Sequence, residues 1–201
     1  MFDDFGSLLL VICLAYGLGS IPFGLILTRL AGGGDIRQVG SGNIGATNVL
    51  RTGNKKLAIA TLIFDGGKGA SAVLLTTHLN STALTALAAV LVVLGHCFPV
   101  WLKFDGGKGV ATSLAALAAL DIHMGGLFVS VWLITALVSR YSSLSALLSM
   151  LACAGAGFIV LDDIMTQVSV LLLGALVWSR HHSNIVRLLA GKETKIGTKD
   201  I

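Results

Sequence analysis

The sequence predicts an all-α protein that crosses a membrane several times. The chain has 201 residues, of which 55% are hydrophobic and only 12% are charged, about half the charged fraction of soluble domains. Apolar stretches long enough to span a bilayer as helices recur along the whole chain. These stretches are continuous rather than alternating with polar residues, which argues against a transmembrane β-barrel. We therefore expect one integral membrane domain over residues 1–201.

The first two predicted spans contain residues that are unusual inside a membrane helix. The first span covers about residues 5–30, and Pro22 in its middle predicts a kink. The second covers about residues 57–79 and contains Asp65 and Lys68. Charges inside a span are costly, and a spacing of three places these two on one face of the helix. They form either a structural ion pair or part of the wall of a binding site.

The later spans depend on how the apolar segment 110–138 is divided. The third span is predicted over about residues 82–102, and the last two over residues 142–161 and 164–178. A single helix over residues 110–138 would be about 43 Å long, more than the roughly 30 Å of a bilayer core. A break near residues 121–126 would instead give two short spans.

The distribution of charge decides between these possibilities. With the break, the lysines and arginines outside the second span all lie on one side of the membrane. The opposite side then receives no lysine or arginine, but five aspartates: Asp3, Asp4, Asp121, Asp162 and Asp163. Without the break, Arg140 and the basic tail would change sides. Because basic residues favour the cytoplasmic side, we predict seven transmembrane helices, with the N-terminus outside and the C-terminus in the cytoplasm.

A segment of small and polar residues, G-S-G-N-I-G-A-T-N-V-L-R, follows the first predicted span at residues 40–51. Its glycines, including Gly40 and Gly42, allow tight turns and a close approach to a ligand. Short hydrogen-bonding side chains lie between them: Ser41, Asn43, Thr47 and Asn48. Arg51 ends the segment with a group suited to phosphate. The segment is either a loop that presents several backbone amides to one anion or a flexible connection.

The hexapeptide F-D-G-G-K-G occurs twice, at residues 64–69 and at residues 104–109. The flanking sequences show little similarity, so a wider duplication is not supported. The second copy places Lys108 in a glycine turn, where it either binds phosphate or anchors the protein to lipid headgroups. His96, shortly before this turn, either packs at the end of a helix or takes part in catalysis.

The predicted topology brings three segments to one cytoplasmic face: residues 40–51, the loop around Lys108, and the start of the tail. Cations and hydrogen-bonding groups gather there, and we expect them to bind an anionic ligand that carries phosphate. The net charge of +4 does not indicate a nucleic-acid partner, because the basic residues fall at helix ends. No metal-ligand motif or Walker A loop is found, so we expect no metal and no cofactor.

Three segments resemble those of the bacterial acyl-phosphate:glycerol-3-phosphate acyltransferases. They are residues 40–51, residues 95–109 (G-H-C-F-P-V-W-L-K-F-D-G-G-K-G) and residues 180–191 (R-H-H-S-N-I-V-R-L-L-A-G). The resemblance covers the whole chain in order, length and topology, although His182 stands where the family usually has a basic residue. It implies transfer of a fatty acyl group from acyl-phosphate to the 1-hydroxyl of glycerol 3-phosphate. The products would be lysophosphatidic acid and inorganic phosphate, in the first step of bacterial phospholipid synthesis.

The resemblance also implies roles for particular residues. The catalytic residues would be Ser41, Arg51, Lys108 and His181. The substrate-binding residues would be Gly40, Gly42, Asn43, Thr47, Asn48, His96, Gly106, Gly107, Ser143 and Asn184. Glycerol 3-phosphate would bind near Lys108 and the tail, and the acyl-phosphate head at the 40–51 loop. Either the leaving phosphate, which we favour, or His181 would accept the hydroxyl proton.

The family further implies a setting in the cell. The protein would lie in the bacterial cytoplasmic (inner) membrane with its site facing the cytoplasm. It would have a functional link to the enzyme that makes acyl-phosphate, and we expect a monomer.

Two other classes of membrane protein are less consistent with the sequence. A small transporter for an organic anion would explain charges within a span, but the polar groups gather on one face and no half-chain repeat is found. A CDP-alcohol transferase would need a metal-binding cluster of aspartates, which the sequence lacks.

Overall fold

The computed structural model describes residues 5–198 and contains only helices and connecting segments in that range. Ten α-helices follow one another between residues 5 and 198: α1 (Phe5–Gly19), α2 (Phe23–Leu30), α3 (Ala46–Arg51), α4 (Lys55–Thr77), α5 (Thr82–Cys97), α6 (Val110–Leu120), α7 (Ile122–Ser139), α8 (Ser142–Val160), α9 (Ile164–Arg180) and α10 (His182–Leu189). Single 3-10 turns lie at Ile36–Gln38 and Val100–Leu102. Asp3, Asp4 and Lys199, which enter the predicted topology, lie outside the described residues.

Several of these helices have the length and composition of membrane spans. Within the described residues, α4, Thr82–Leu102, α7 and α8 are long and apolar enough to cross a bilayer. The bent pair α1–α2 makes a fifth candidate if it counts as one span, and α6 and α9 are shorter apolar helices. The prediction of an all-α protein with several apolar spans is confirmed.

The first predicted span is not one continuous helix, because it breaks at Pro22. Proline lacks an N–H and clashes with the preceding turn, and the α1 and α2 axes differ by 41°. The carbonyl groups freed at the break bind two long side chains. Trp101 Nε1 donates to the Ser20 carbonyl at 2.5 Å, and Lys68 Nζ donates to the Ile21 carbonyl at 2.7 Å. The kink is therefore confirmed, and the prediction of a single helix is wrong.

The buried charges of α4 have a structural role. Lys68 Nζ lies 3.0 Å from Asp65 Oδ1, and both side chains are at most 3% exposed. The same ammonium group binds the break between α1 and α2. Asp65 also reaches the cavity described below. The pair is therefore a structural ion pair, one end of which lies at the wall of the site.

Segment 110–138 is broken, as the charge distribution predicts. Asp121 has extended backbone between α6 and α7, and its carboxylate accepts hydrogen bonds from the amides of His123 and Met124. This is an N-terminal cap of α7. The two helices then fold back on each other so closely that a Cβ at Gly125 would collide with Ala118.

Helix α5 is the centre of the apolar core and packs against α1, α4, α6 and α9. Small residues make the close packing possible, as in other membrane helices. Gly19 of α1 lies directly against the backbone of Val92 in α5. A second, smaller apolar cluster lies beneath the 40–51 loop and includes Ile36, Ile44 and Val49. Ser41 and Thr47 are exposed on the other side of the loop, whereas Asn48 is buried with the apolar cluster.

We predict that Lys68→Met lowers the free energy of unfolding by about 3 kcal/mol, because it leaves Asp65 as a buried charge without its partner. The measurement is thermal or detergent-induced unfolding of the purified protein, followed by circular dichroism. Lys56→Met, which removes an exposed lysine from the same helix, is the control. The double variant Asp65→Asn/Lys68→Met should recover part of the loss. A Lys68→Met protein as stable as the wild type would contradict this role.

Candidate active site

A cavity of about 1120 Å³ lies between the 40–51 loop, α4, α6, α7 and the tail. Ten of the predicted site residues line it: Gly40, Ser41, Asn43, Thr47, Arg51, His96, Lys108, Ser143, His181 and Asn184. The remaining wall includes a group of apolar side chains: Leu62, Leu114, Phe128, Val129, Trp132 and Leu133. The cavity therefore offers hydrogen-bonding and cationic groups next to an apolar surface.

Asn48 organises the 40–51 loop from beneath. Its Nδ2 lies 3.1, 2.9 and 2.8 Å from the carbonyl oxygens of Ile36, Val39 and Asn43. Its Oδ1 accepts a hydrogen bond from the Ser41 amide at 2.9 Å. The Asn48 side chain is buried and does not line the cavity. The structure therefore does not bring Asn48 to the substrate side of the loop, and its contacts fix the shape of the loop.

The loop does not present its backbone as the sequence suggests. The amides of Ser41, Gly42 and Gly45 all donate hydrogen bonds to acceptors within the loop or just before it. Of the two interpretations of this segment, presentation of backbone amides to one anion is therefore not supported for these three. Gly42 does not line the cavity either. Ser41 and Thr47 do line it.

The two copies of F-D-G-G-K-G have different structures. Residues 64–69 are part of α4, whereas residues 104–109 form a loop after the third span. In the loop, the amides of Gly106 and Gly107 donate to the carbonyl oxygens of Cys97 and His96 at the end of α5. A Cβ at Gly107 would collide with the His96 ring. These glycines therefore let the loop lie directly on α5.

Gly106 and Gly107 themselves do not line the cavity. The structure therefore does not bring these two predicted residues to the cavity, but the residue that follows them, Lys108, lines it. His96 does line the cavity, and its Nδ1 lies 3.6 Å from Asp65 Oδ1. Among residues 5–198, no third histidine, cysteine, aspartate or glutamate joins such a pair to make a metal-binding group.

A chain of hydrogen bonds holds Lys108. Its Nζ donates to Asn184 Oδ1 at 2.5 Å. The Asn184 amide nitrogen donates to Glu193 Oε1 at 2.6 Å, and Ser143 Oγ donates to the same oxygen at 2.7 Å. Arg187 Nε donates to Glu193 Oε2 at 2.7 Å. Because the Asn184 nitrogen binds Glu193, its oxygen is turned toward Lys108.

Glu193 is a site residue that the sequence-based prediction missed. Its side chain is 6% exposed. Burial opposes its ionisation, but hydrogen bonds from Ser143, Asn184 and Arg187 outweigh burial and lower the pKa of its carboxyl group. Its position in the chain offered a signal, because it is the only glutamate in the sequence and stands in a basic tail.

The tail that carries Glu193 returns to the turn between α7 and α8. The Ile196 amide donates to the Arg140 carbonyl at 2.6 Å, and the Arg140 side chain donates to the Ile196 carbonyl at 3.1 Å. These contacts bring the tail to the cavity, where Lys195 and Ile196 form part of the wall. Glu193 therefore reaches the site through long-range contacts rather than through its neighbours in sequence.

The two titratable groups at the centre of the site have lowered pKa values. Burial, and next the charge of Arg187, lower the pKa of Lys108 to about 8, although Glu193 acts in the opposite direction. Burial lowers the pKa of His181 to about 4, so its imidazole is neutral at pH 7. Its Nδ1 lies 2.7 Å from the Val177 carbonyl, which can only accept. The proton is therefore on Nδ1, and Nε2 is a hydrogen-bond acceptor.

Comparison with known proteins shows which family the chain matches. The chain matches the glycerol-3-phosphate acyltransferase family over residues 9–191. It is 53% identical to the glycerol-3-phosphate acyltransferase of Agrobacterium fabrum, over 96% of this chain and 93% of the relative. It is 50% identical to the enzyme of that name from Gluconobacter oxydans, over 94% and 93% of the two chains.

Solved structures give the same result. The chain matches the crystal structure of PlsY (YgiH), an integral membrane glycerol 3-phosphate acyltransferase, in its glycerol 3-phosphate form. The TM-score is 0.91 at 36% identity, over 96% of this chain and 97% of that chain. The lysophosphatidic acid form matches with a TM-score of 0.89. The apolar helices, the cavity and these relatives define an integral membrane acyltransferase. The chain belongs to the glycerol-3-phosphate acyltransferase family, which confirms the resemblance in three sequence segments.

The repeated hexapeptide provides a matched pair of substitutions. We predict that Gly107→Ala lowers acyltransferase activity at least tenfold, because its Cβ would collide with the His96 ring and displace the loop that carries Lys108. Gly67→Ala, at the equivalent position of the helical copy, meets open space and should leave activity unchanged, with stability equal or higher by about 1 kcal/mol. Specific activity and melting temperature are measured for both. Equal activity of the two variants would show that the loop is not sensitive to its contact with α5.

Proposed function

We propose that the protein transfers a fatty acyl group from acyl-phosphate to the 1-hydroxyl of glycerol 3-phosphate. The products are lysophosphatidic acid and inorganic phosphate, and the reaction begins phospholipid synthesis. The observation that carries the proposal is one cavity in which Lys108 and Arg51 lie next to an apolar wall. Such a cavity suits a substrate with a phosphate head and a fatty chain. The two PlsY structures, named for their glycerol 3-phosphate and lysophosphatidic acid forms, support it.

Glycerol 3-phosphate binds at the polar end of the cavity in this proposal. Lys108 and Arg51 supply positive charge for the phosphate. Ser143 and Asn184 line the wall beside Lys108 and are oriented by Glu193. His181 Nε2, as an acceptor, binds a glycerol hydroxyl rather than the phosphate, because neutral imidazole has no second proton to donate.

Acyl-phosphate binds along the rest of the cavity. Its phosphate head lies at the 40–51 loop, where Ser41, Asn43 and Thr47 are part of the wall. Its acyl chain lies along the apolar surface that includes Phe128 and Trp132 of α7. A fatty chain that enters this surface leaves water, which favours binding by about 0.8 kcal/mol for each buried methylene.

The chemical step requires little activation by the protein. The 1-hydroxyl oxygen attacks the acyl carbonyl carbon, a new C–O ester bond forms, and the bond between that carbon and the phosphate oxygen breaks. The leaving phosphate accepts the hydroxyl proton. Because the donor is a mixed anhydride with a good leaving group, the main task of the site is to hold two phosphate-bearing molecules together in the right orientation.

The membrane topology of the enzyme, in this proposal, is inferred from the positions of its charged residues. The bent pair α1–α2 together with α4, α5, α6, α7, α8 and α9 gives seven spans in the proposal. The N-terminus is then outside, and the positive-inside rule places the site at the cytoplasmic face of the inner membrane. The enzyme acts as a monomer, and a separate enzyme that makes acyl-phosphate supplies its donor.

The direct test is release of inorganic phosphate by the purified protein. Palmitoyl-phosphate is supplied with and without glycerol 3-phosphate, in the absence of added metal and coenzyme A. We predict release that depends on the acceptor in the wild type and falls at least a hundredfold in Lys108→Ala. Lys56→Ala, at an exposed position of α4, is the control for loss of a positive charge. Absence of acceptor-dependent release from folded wild-type protein would overturn the proposed function.

The pH dependence provides a further prediction. Because the pKa of Lys108 is lowered to about 8, its ammonium form is present below that pH and is lost above it. We predict that kcat/KM for glycerol 3-phosphate decreases as the pH rises through about 8. Lys108→Arg, which keeps its charge over this range, should move the decrease to higher pH. A profile unchanged in Lys108→Arg would contradict the assignment.

His181→Gln separates the two possible proton acceptors in the same experiment. If the leaving phosphate takes the proton, this variant keeps the basic limb that Lys108 produces. A base must be unprotonated to act, so a rate that rises with pH through about 4 in the wild type, and does not do so in His181→Gln with unchanged substrate affinity, would identify His181 as the base instead.

A further inference from the structure

Arg180, the last residue of α9, makes an unusual set of contacts with the 104–109 loop. Its Nε donates to the Gly107 carbonyl at 3.1 Å, and its Nη2 donates to the Gly106 carbonyl at 3.0 Å. Nη2 also lies 3.3 Å from a carboxylate oxygen of Asp105. The guanidinium carbon lies 5.1 Å from the centre of the Phe98 ring, a cation–π contact.

These contacts complete the attachment of the loop. On one side, the amides of Gly106 and Gly107 bind the end of α5. On the other side, the carbonyl groups of the same two residues bind Arg180. Both peptide polar groups of the glycine pair are therefore held by helices that are far apart in sequence.

The loop needs such attachment because its backbone is strained. Lys103 and Phe104 have φ values of 53° and 63°, in the left-handed region that residues with side chains rarely adopt. Strained backbone persists only where surrounding contacts hold it in place. Such strained residues are common in functional loops. Asp105 alone separates these two residues from the glycines that precede Lys108.

We propose that Arg180 is a positioning residue that holds the 104–109 loop and thereby sets the place of Lys108. This inference rests on the proposed function, in which Lys108 binds the phosphate of glycerol 3-phosphate. Arg180 acts through the loop because it does not line the cavity. The planar guanidinium fits two adjacent carbonyl groups, which a lysine ammonium cannot bind in the same geometry. The contact with Asp105 adds little, because that side chain is 79% exposed.

Kinetics of Arg180→Gln and Arg180→Lys test the proposal. We expect Arg180→Gln to raise KM for glycerol 3-phosphate at least tenfold, with less than a threefold change in KM for palmitoyl-phosphate. Arg180→Lys should lie between it and the wild type. Arg29→Gln removes an exposed guanidinium at the end of α2 and is the matched control, expected to behave as the wild type. An equal rise of both KM values, or no change in either, would overturn the proposal.

Hydrogen–deuterium exchange provides a readout that does not depend on turnover. We expect amides of residues 104–109 to exchange at least tenfold faster in Arg180→Gln than in the wild type or in Arg29→Gln, with an unchanged melting temperature. Unchanged exchange in the loop, or faster exchange throughout the protein, would overturn the positioning role. If wild-type protein shows no acyl transfer, the proposed function fails, and the exchange result still decides whether Arg180 holds the loop.

Discussion

Backbone groups freed at breaks in the helices need partners, because an apolar environment leaves them without water. This constraint organises the structure. The break at Pro22 frees carbonyl groups that bind Trp101 and Lys68. The loop before α6 is held by carbonyl groups of α5 on one side and by Arg180 on the other. Irregular backbone thus occurs where long polar side chains from distant segments can reach it.

Four basic residues near the cavity differ in what they contact. The side chains of Lys68 and Arg180 donate hydrogen bonds to backbone carbonyl groups, and these bonds stabilise the fold around the cavity. Lys108 and Arg51 belong to the cavity wall, and in the proposed reaction their positive charge attracts an anionic substrate. Such a division suits a reaction in which the donor is already activated, because orientation of the substrates then supplies much of the rate.

The sequence predicts the membrane class and most of the helices, because long apolar runs and the positions of charged residues are strong signals. Hydropathy alone did not show whether residues 110–138 form one helix or two. The distribution of charged residues predicted the break, which the structure has at Asp121. The repeated hexapeptide shows the limit of local sequence. Six identical residues form a helix in one place and a loop in the other. In the second copy, the glycine amides bind the carbonyl groups at the end of α5, and the glycine carbonyl groups bind Arg180.

Long-range contacts also explain the residue that was missed. The place of Glu193 as the only glutamate, within a basic tail, marks it as unusual but does not indicate burial. Its partners Ser143, Asn184 and Arg187 come from two other parts of the chain and meet it only in the folded protein. Asn48 and Gly42 illustrate the reverse case, because they belong to the predicted motif and yet do not line the cavity.

In the proposed reaction, the ammonium group of Lys108, held by Asn184, binds the phosphate of the acceptor. Calorimetric titration of the purified protein with glycerol 3-phosphate, without any acyl donor, tests it most directly. We predict saturable binding to the wild type, at least tenfold weaker binding to Lys108→Met, and no detectable binding of glycerol. Equal affinity of the wild type and Lys108→Met for glycerol 3-phosphate would contradict it.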